Sequence, residues 1–288
     1  MIRVSSEEEL FKEIRSAHLE GRKVSIIGFG NHSHKDKENA ISTQGMDHFE
    51  LKDDYVVALA GASVPKIREE ASEKGLLFPS LYDGSVGGML ALNHVSPISF
   101  HYGTPKEFTV WCRAITFLGG INWKIFIGSK GKLGAISKAV MRLYQKPRRI
   151  VTLEKSYSDA RDLVEDFKKG VEDRPIAVLV EYDKEFKLHM TYSNDVEYPG
   201  FSKDDGVPVV EEEDKNSYVV RTEGLKEFVE LVEKTSPIYA YTVPGTGMSK
   251  VYVADEEALK GFEYYPSDSV SEVYLKLKKL LDYKSIFE

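Results

Sequence analysis

Leu10, Phe11, Ile14 and Ala17 recur at the spacing of one helical face. Ser5 and Glu8 ahead of them form a capping box, and Gly21 closes the helix they predict. The run KVSIIGFG then predicts a short buried strand that ends in glycines, and YVVALAG from Tyr55 predicts another. Pro65 starts the next helix and Gly75 ends it. In SVGGMLALNH a glycine pair opens a short apolar helix. FTVWCRAITFLGGINWKIFIG reads as a β-hairpin turning at Gly119 and Gly120, and AISKAVMRLYQ as an extended strand.

From about residue 150 the pattern changes. A strand at Val151–Lys155, a helix from Ser158, then IAVLVEY and FKLHMTY make one β-α-β-β unit. A second follows: SYVVRT, a helix at Leu225–Lys234, PIYAYTV and SKVYVA. An acidic segment from Tyr198 to Asp214, punctuated by Pro and Gly, interrupts them, its DDGVPVVEEED part reading as a solvent loop or insertion, and an amphipathic helix covers roughly Ser269–Leu281. Two such units side by side predict an α+β sandwich with helices on one face of an antiparallel sheet. The expected division is 1–147 and 148–288, with KPRR (Lys146–Arg149) at the junction.

A chain of 288 residues with 42% hydrophobic positions has material for two cores. Its net charge of −7 gives no support to a nucleic-acid partner. The single cysteine, Cys112, excludes a disulfide or cysteine metal site within one chain, and strand alternation makes it buried filler. No spacing of His, Asp and Glu suggests a metal site. Early charges (Arg3, Glu7) and the lack of a long apolar run argue against a secretory signal or transmembrane segment, so the expected location is cytoplasmic.

The chemistry points to three glycine-rich stretches: IGFGNHS (Ile27–Ser33), SVGGMLALN (Ser85–Asn93) and GSKGKLGAIS (Gly128–Ser137). Glycine there permits positive φ and lets backbone N–H groups approach an anion. At Gly87 and Gly88 a helix N-terminus is expected to add unpaired donors. None of the stretches is a P-loop or a dinucleotide fingerprint.

Their order and spacing, with Tyr102-Gly103 between the second and third, resemble the FAD-binding domain of the vanillyl-alcohol oxidase flavoproteins, the p-cresol methylhydroxylase type. The resemblance spans about residues 1–147 and implies a two-part FAD-binding domain followed by a smaller α+β substrate, cap or subunit-interaction domain. It implies that Gly28, Phe29, Gly30, Asn31, His32 and Ser33 wrap the pyrophosphate. Ser85, Gly87, Gly88, Leu90 and Asn93 would line pyrophosphate and flavin ring, with Tyr102 nearby. Gly128, Gly131, Gly134 and Ile136 would close over the ribose and adenine. The first loop departs from the family pattern at Ile27 and Phe29. Some members tether flavin through a loop histidine. His32, and after it His34, is the candidate here by proximity, but the register is one residue off, so the implied FAD is non-covalent.

Oxidising a hydroxy acid calls for a cation to hold the carboxylate and a base near the reacting carbon. The candidates are Arg221 for the first role and His94 or His101 for the second, whereas His189 reads as an ordinary strand residue. Ser236–Val253 resembles the C-terminal part of the FAD-binding accessory subunit of bacterial glycolate oxidase. That resemblance implies a 2-hydroxy acid such as glycolate or lactate as substrate, with a larger flavin subunit and an iron–sulfur subunit as partners. The alternatives are an electron-relay or scaffold subunit that turns nothing over alone, and an interaction protein with a degenerate cofactor site.

Overall fold

The chain's structure, a computed structural model, describes residues 1–30, 39–210 and 216–288. Helix α1 (Glu7–Glu20) begins one residue later than its sequence signal: Ser6 Oγ accepts from Glu9 N at 3.2 Å. The box survives in shifted form, because the Glu9 carboxylate accepts from Ser5 N at 2.7 Å. Gly21 closes the helix at φ 67°, a left-handed conformation that suits glycine. Helix α1 leads into a three-stranded parallel sheet, with Ala40–Ser42 between Ile2–Arg3 and Ser25–Ile27.

A five-stranded antiparallel sheet forms the second layer. Its order is Phe49–Leu51, Tyr55–Leu59, Ala135–Arg142, Thr109–Thr116, Gly119–Asn122. The hairpin is present, but Thr116 pairs with Gly119, so Phe117 and Leu118 make the turn. Val56, Ala58, Ala139 and Met141 bury one face of this sheet with Ile67 of helix α2 (Val64–Glu73) and Met89 and Leu90 of helix α3 (Val86–Leu92). Cys112 is in the same core at 1% exposure, and burial pushes its thiol up to about 12. It is filler, as the alternation predicts. Ile115 and Ala135 belong to another core with Leu10, Ile14, Val24, Ile286 and Phe287.

Two compact units emerge: Met1–His94, Thr104–Lys146 and Val270–Glu288 form the first, and Val95–Gly103 and Pro147–Ser269 the second. The chain passes from the first unit to the second at Lys146/Pro147. The segment Val270–Glu288, assigned by sequence to the second unit, is in the first. Its apolar residues Tyr274, Leu277, Ile286 and Phe287 pack into the first unit's cores.

The second unit starts with helix α4 (Ser99–Tyr102), while helix α5 (Pro105–Phe108) is back in the first. Its body is an eight-stranded sheet whose six inner strands are the two β-α-β-β units, joined where Val180 pairs with Thr242 and Glu181 with Tyr241, with Ser202–Asp205 and Tyr264–Pro266 at its edges. Helices α6 (Ala160–Glu172) and α7 (Leu225–Thr235) contribute Leu163, Phe228 and Leu231 to the core on one face. This is the expected α+β architecture. One expectation is corrected: Ser202–Asp205, within the segment read as an interruption, pairs with Val151–Glu154 as an edge strand.

His18 near the end of α1 is 6% exposed, lies flat on Phe117 with ring centroids 3.9 Å apart, and shares a 3.1 Å hydrogen bond with Tyr283 Oη. Burial, and then the Lys284 charge, lower its pKa despite Asp282. A lowered folded pKa means that the unfolded chain takes up the proton first. The stabilisation therefore holds above the ordinary histidine value of about 6.5 and is lost as pH falls below it. The melting temperature of the first unit is expected to fall between pH 7.5 and 5.5, with a shallower fall in His18→Phe. Equal slopes for the two proteins would contradict this assignment.

Candidate functional site

The three glycine stretches meet in the first unit. A Cβ on Gly28, just after the strand Ser25–Ile27, would lie 2.1 Å from Ser85 Oγ, so the first turn sits directly against the start of α3. At the other end of that helix, the carbonyls of Leu90 and Ala91 accept from Gly128 N at 2.9 Å and Lys130 N at 2.8 Å. Helix α3 is thus the shared wall of both loops. Gly128 (φ 84°) and Gly131 (φ 75°) require the left-handed backbone, as does Gly30 (φ 80°) in the first turn.

The residues fit a dinucleotide, with one change of role. Added Cβ atoms on Gly30 and Gly131 would meet only Ile27 Cγ2 at 3.6 Å and Ile26 Cβ at 3.9 Å, and the N–H groups of these glycines find no partner among the described residues. These are donors available to a phosphate. The donors expected at the start of α3 are instead committed within the protein. Val86 N bonds Ala62 O, Gly87 N bonds Ala60 O at 2.7 Å, and Gly88 N bonds Ser85 Oγ at 3.2 Å. Glycine at 87 and 88 serves close packing: added Cβ atoms would meet Ala60 Cβ at 3.0 Å and Tyr82 Oη at 2.8 Å.

The remaining expected site residues divide into four groups. Phe29 is 36% exposed beside Gly30. Asn31, His32 and Ser33, and with them any covalent anchor, lie outside the described residues. Leu90 and Ile136 are buried in the core, Leu90 contributing its carbonyl, and Gly134 packs against Ile115 O. Asn93 ends α3 at φ 50° and its Oδ1 accepts from Lys106 N at 2.9 Å, which makes it a joint between α3 and α5.

His94 belongs to the first unit, its ring 5.1 Å from that of Tyr82. Tyr82 was missed by sequence. It is 6% exposed, and burial followed by the Asp83 charge pushes its hydroxyl pKa up, so it stays neutral over Gly88. His101 and Tyr102 fall in the second unit, on α4, with their rings 4.7 Å apart. Arg221 is exposed there and paired with Glu263 at 3.2 Å and Glu223 at 3.7 Å.

His189, read as a plain strand residue, is the centre of a polar chain on the sheet face opposite α6 and α7. Its Nε2 is 2.8 Å from Glu181 Oε2 and its Nδ1 is 3.2 Å from Glu154 Oε2. Lys187 extends the chain to Glu154 at 2.6 Å, and Tyr239 Oη donates to Glu181. Burial alone would raise the Glu181 pKa, but hydrogen bonds from His189 and Tyr239 outweigh it and hold the carboxyl low. Cross-strand register was the only signal for this cluster: Glu154 stands opposite His189, and Glu181 opposite Lys187.

Two glycine turns are thus stapled to one short helix, with the Gly30 and Gly131 N–H groups without a partner among the described residues. Residues 1–123 match the family model of the FAD binding domain, so the cofactor of this unit is FAD. A D-lactate dehydrogenase from Archaeoglobus fulgidus is 29% identical over an alignment covering 39% of this chain and 30% of that protein. The match thus spans less than a third of the relative's length. Two structures of alkyldihydroxyacetonephosphate synthase superpose with TM-scores of 0.66 and 0.65, each at 14% identity. They cover 99% of this chain and 75% and 74% of theirs, and they establish the fold alone.

Proposed function

We propose that this chain is an FAD-dependent oxidoreductase, or a subunit of one, acting on a small 2-hydroxy acid such as lactate or glycolate. The observation that carries the reading is the meeting of the glycine turns on α3 within an FAD-binding unit. The D-lactate dehydrogenase relative supports the substrate class. When bound, the flavin supplies the acceptor for the hydride leaving the carbon that bears the hydroxyl. The protein's part is to hold the carboxylate and take the hydroxyl proton, tasks for which His94, His101 and Arg221 remain the proposed residues. In this reading the first unit carries FAD, non-covalently, and the second is a substrate, cap or subunit-interaction domain. The location is the cytoplasm; no described helix is long and apolar enough to cross a membrane.

The pairing of Arg221 with two glutamates favours a second reading, an electron-relay or accessory subunit beside a larger flavin subunit and an iron–sulfur subunit. Anaerobic addition of D-lactate or glycolate to the FAD-loaded chain separates the two. Bleaching of the flavin band near ~450 nm is expected for the oxidoreductase. An unchanged spectrum with flavin bound would favour the relay, and a chain that takes up no FAD would end both readings.

A further inference from the structure

The segment Val270–Glu288 lies more than a hundred residues beyond the last glycine turn in sequence, yet it touches the structures that carry two of the three turns. Helix α8 (Glu272–Leu281) places Tyr274, Leu277 and Leu281 on the first unit's core. Tyr274 Oη donates to Ile127 O at 2.5 Å, immediately before Gly128, and a Cβ on Gly128 would lie 2.9 Å from that oxygen. One turn later, Lys278 Nζ donates to Lys132 O at 3.1 Å, immediately after Gly131. Both bonds hold the glycine loop by its carbonyls, and neither occupies the Gly131 N–H.

The same lysine anchors the other turn. Its ammonium has three donors, and the other two are taken by Asp282 Oδ2 at 2.8 Å and Phe287 O. Asp282, fully buried, accepts from Ile286 N at 2.9 Å and Phe287 N at 3.0 Å. The stretch shaped in this way pairs alongside Val24: Val24 N bonds Ile286 O at 2.7 Å and Glu288 N bonds Val24 O at 3.0 Å. Val24 directly precedes the strand Ser25–Ile27 that delivers Gly28 and Gly30.

We propose that Val270–Glu288 is a clamp on the FAD site, with Lys278 and Tyr274 as positioning residues that preset the Gly128–Gly134 loop for the cofactor. Neither residue need touch FAD. The benefit is preorganisation: a loop already held in its binding shape loses less freedom when the ligand arrives. This rests on FAD being the ligand of the first unit, and it adds a requirement that residues 1–147 alone do not meet.

The test is FAD affinity of the apo-protein, followed by quenching of flavin fluorescence well below the melting temperature, with far-UV circular dichroism and apo melting alongside. Lys278→Met is expected to raise Kd by about tenfold or more, a loss that Lys278→Arg partly restores. Tyr274→Phe, which removes one hydroxyl and leaves the packing, is expected to raise it several-fold and keeps the test open if Lys278→Met fails to fold. Ile67→Ala, a core change on α2 with no bond to the glycine loop or to Val270–Glu288, serves as the control of comparable stability loss. Wild-type affinity in a folded Lys278→Met or Tyr274→Phe protein would overturn the clamp. So would an equal loss of affinity in Ile67→Ala. A wild-type chain that binds no FAD would overturn the cofactor assignment and the clamp together, an outcome distinct from the other two.

Discussion

Gly88→Asp is expected to abolish flavin retention while leaving the second unit folded. The first added carbon would lie 2.8 Å from the hydroxyl of Tyr82, a side chain too buried to swing aside. Helix α3 must then move, and its carbonyls at Leu90 and Ala91 hold Gly128 and Lys130, so the movement reaches the third glycine stretch. The carboxylate adds negative charge at the wall of the proposed FAD site, where it would repel the phosphates. Overpacking of this kind costs about 1–3 kcal/mol. With the charge added, a loss of roughly a hundredfold in FAD affinity is expected. The flavin-to-protein absorbance ratio after gel filtration measures it. Gly88→Ala, which keeps the clash and omits the charge, should retain part of the flavin. A full complement of flavin in Gly88→Asp would show that α3 does not border the cofactor.

The second large effect is on stability. Asp282→Ala is expected to lower the stability of the first unit by about 3–5 kcal/mol, the usual result of removing one partner of a buried, hydrogen-bonded ion pair. Two backbone donors, Ile286 N and Phe287 N, lose their acceptor, and Lys278, only 18% exposed, is left with its charge unpaired. Asp282→Asn retains one acceptor oxygen and should fall between. Calorimetry of the apo-protein is the direct measurement. Asp282→Ala should move the first unit's transition and leave that of the second in place. A shift below about 1 kcal/mol would mean that the carboxylate is no more than a surface group.

Local elements were largely legible before the structure. Helix α7, expected at Leu225–Lys234, runs Leu225–Thr235, and the alternation in FKLHMTY became the strand Glu185–Tyr192. Both signals are burial written along a few consecutive residues. The edge strand Ser202–Asp205 was missed because all four of its residues are exposed, and a strand with no buried face has no alternation to display. The glycine stretches were recognisable as a set, but their division of labour was not. Gly87 and Gly88 look like phosphate-binding glycines until Ala60, Ala62 and Ser85 are seen to occupy the donors around them.

The sequence by itself determined most of the helices and strands, and it singled out three glycine stretches as a set. Those properties follow from side-chain periodicity and backbone freedom, which act over a few residues. Only the tertiary structure decided that Val270–Glu288 returns to the first unit. It alone decided that Lys278 grips the loop of Gly131, and that His189 stands between two glutamates. Each of those facts depends on which distant surfaces pack or pair. Burial marks a residue as needing a partner, and the register of the fold selects which one.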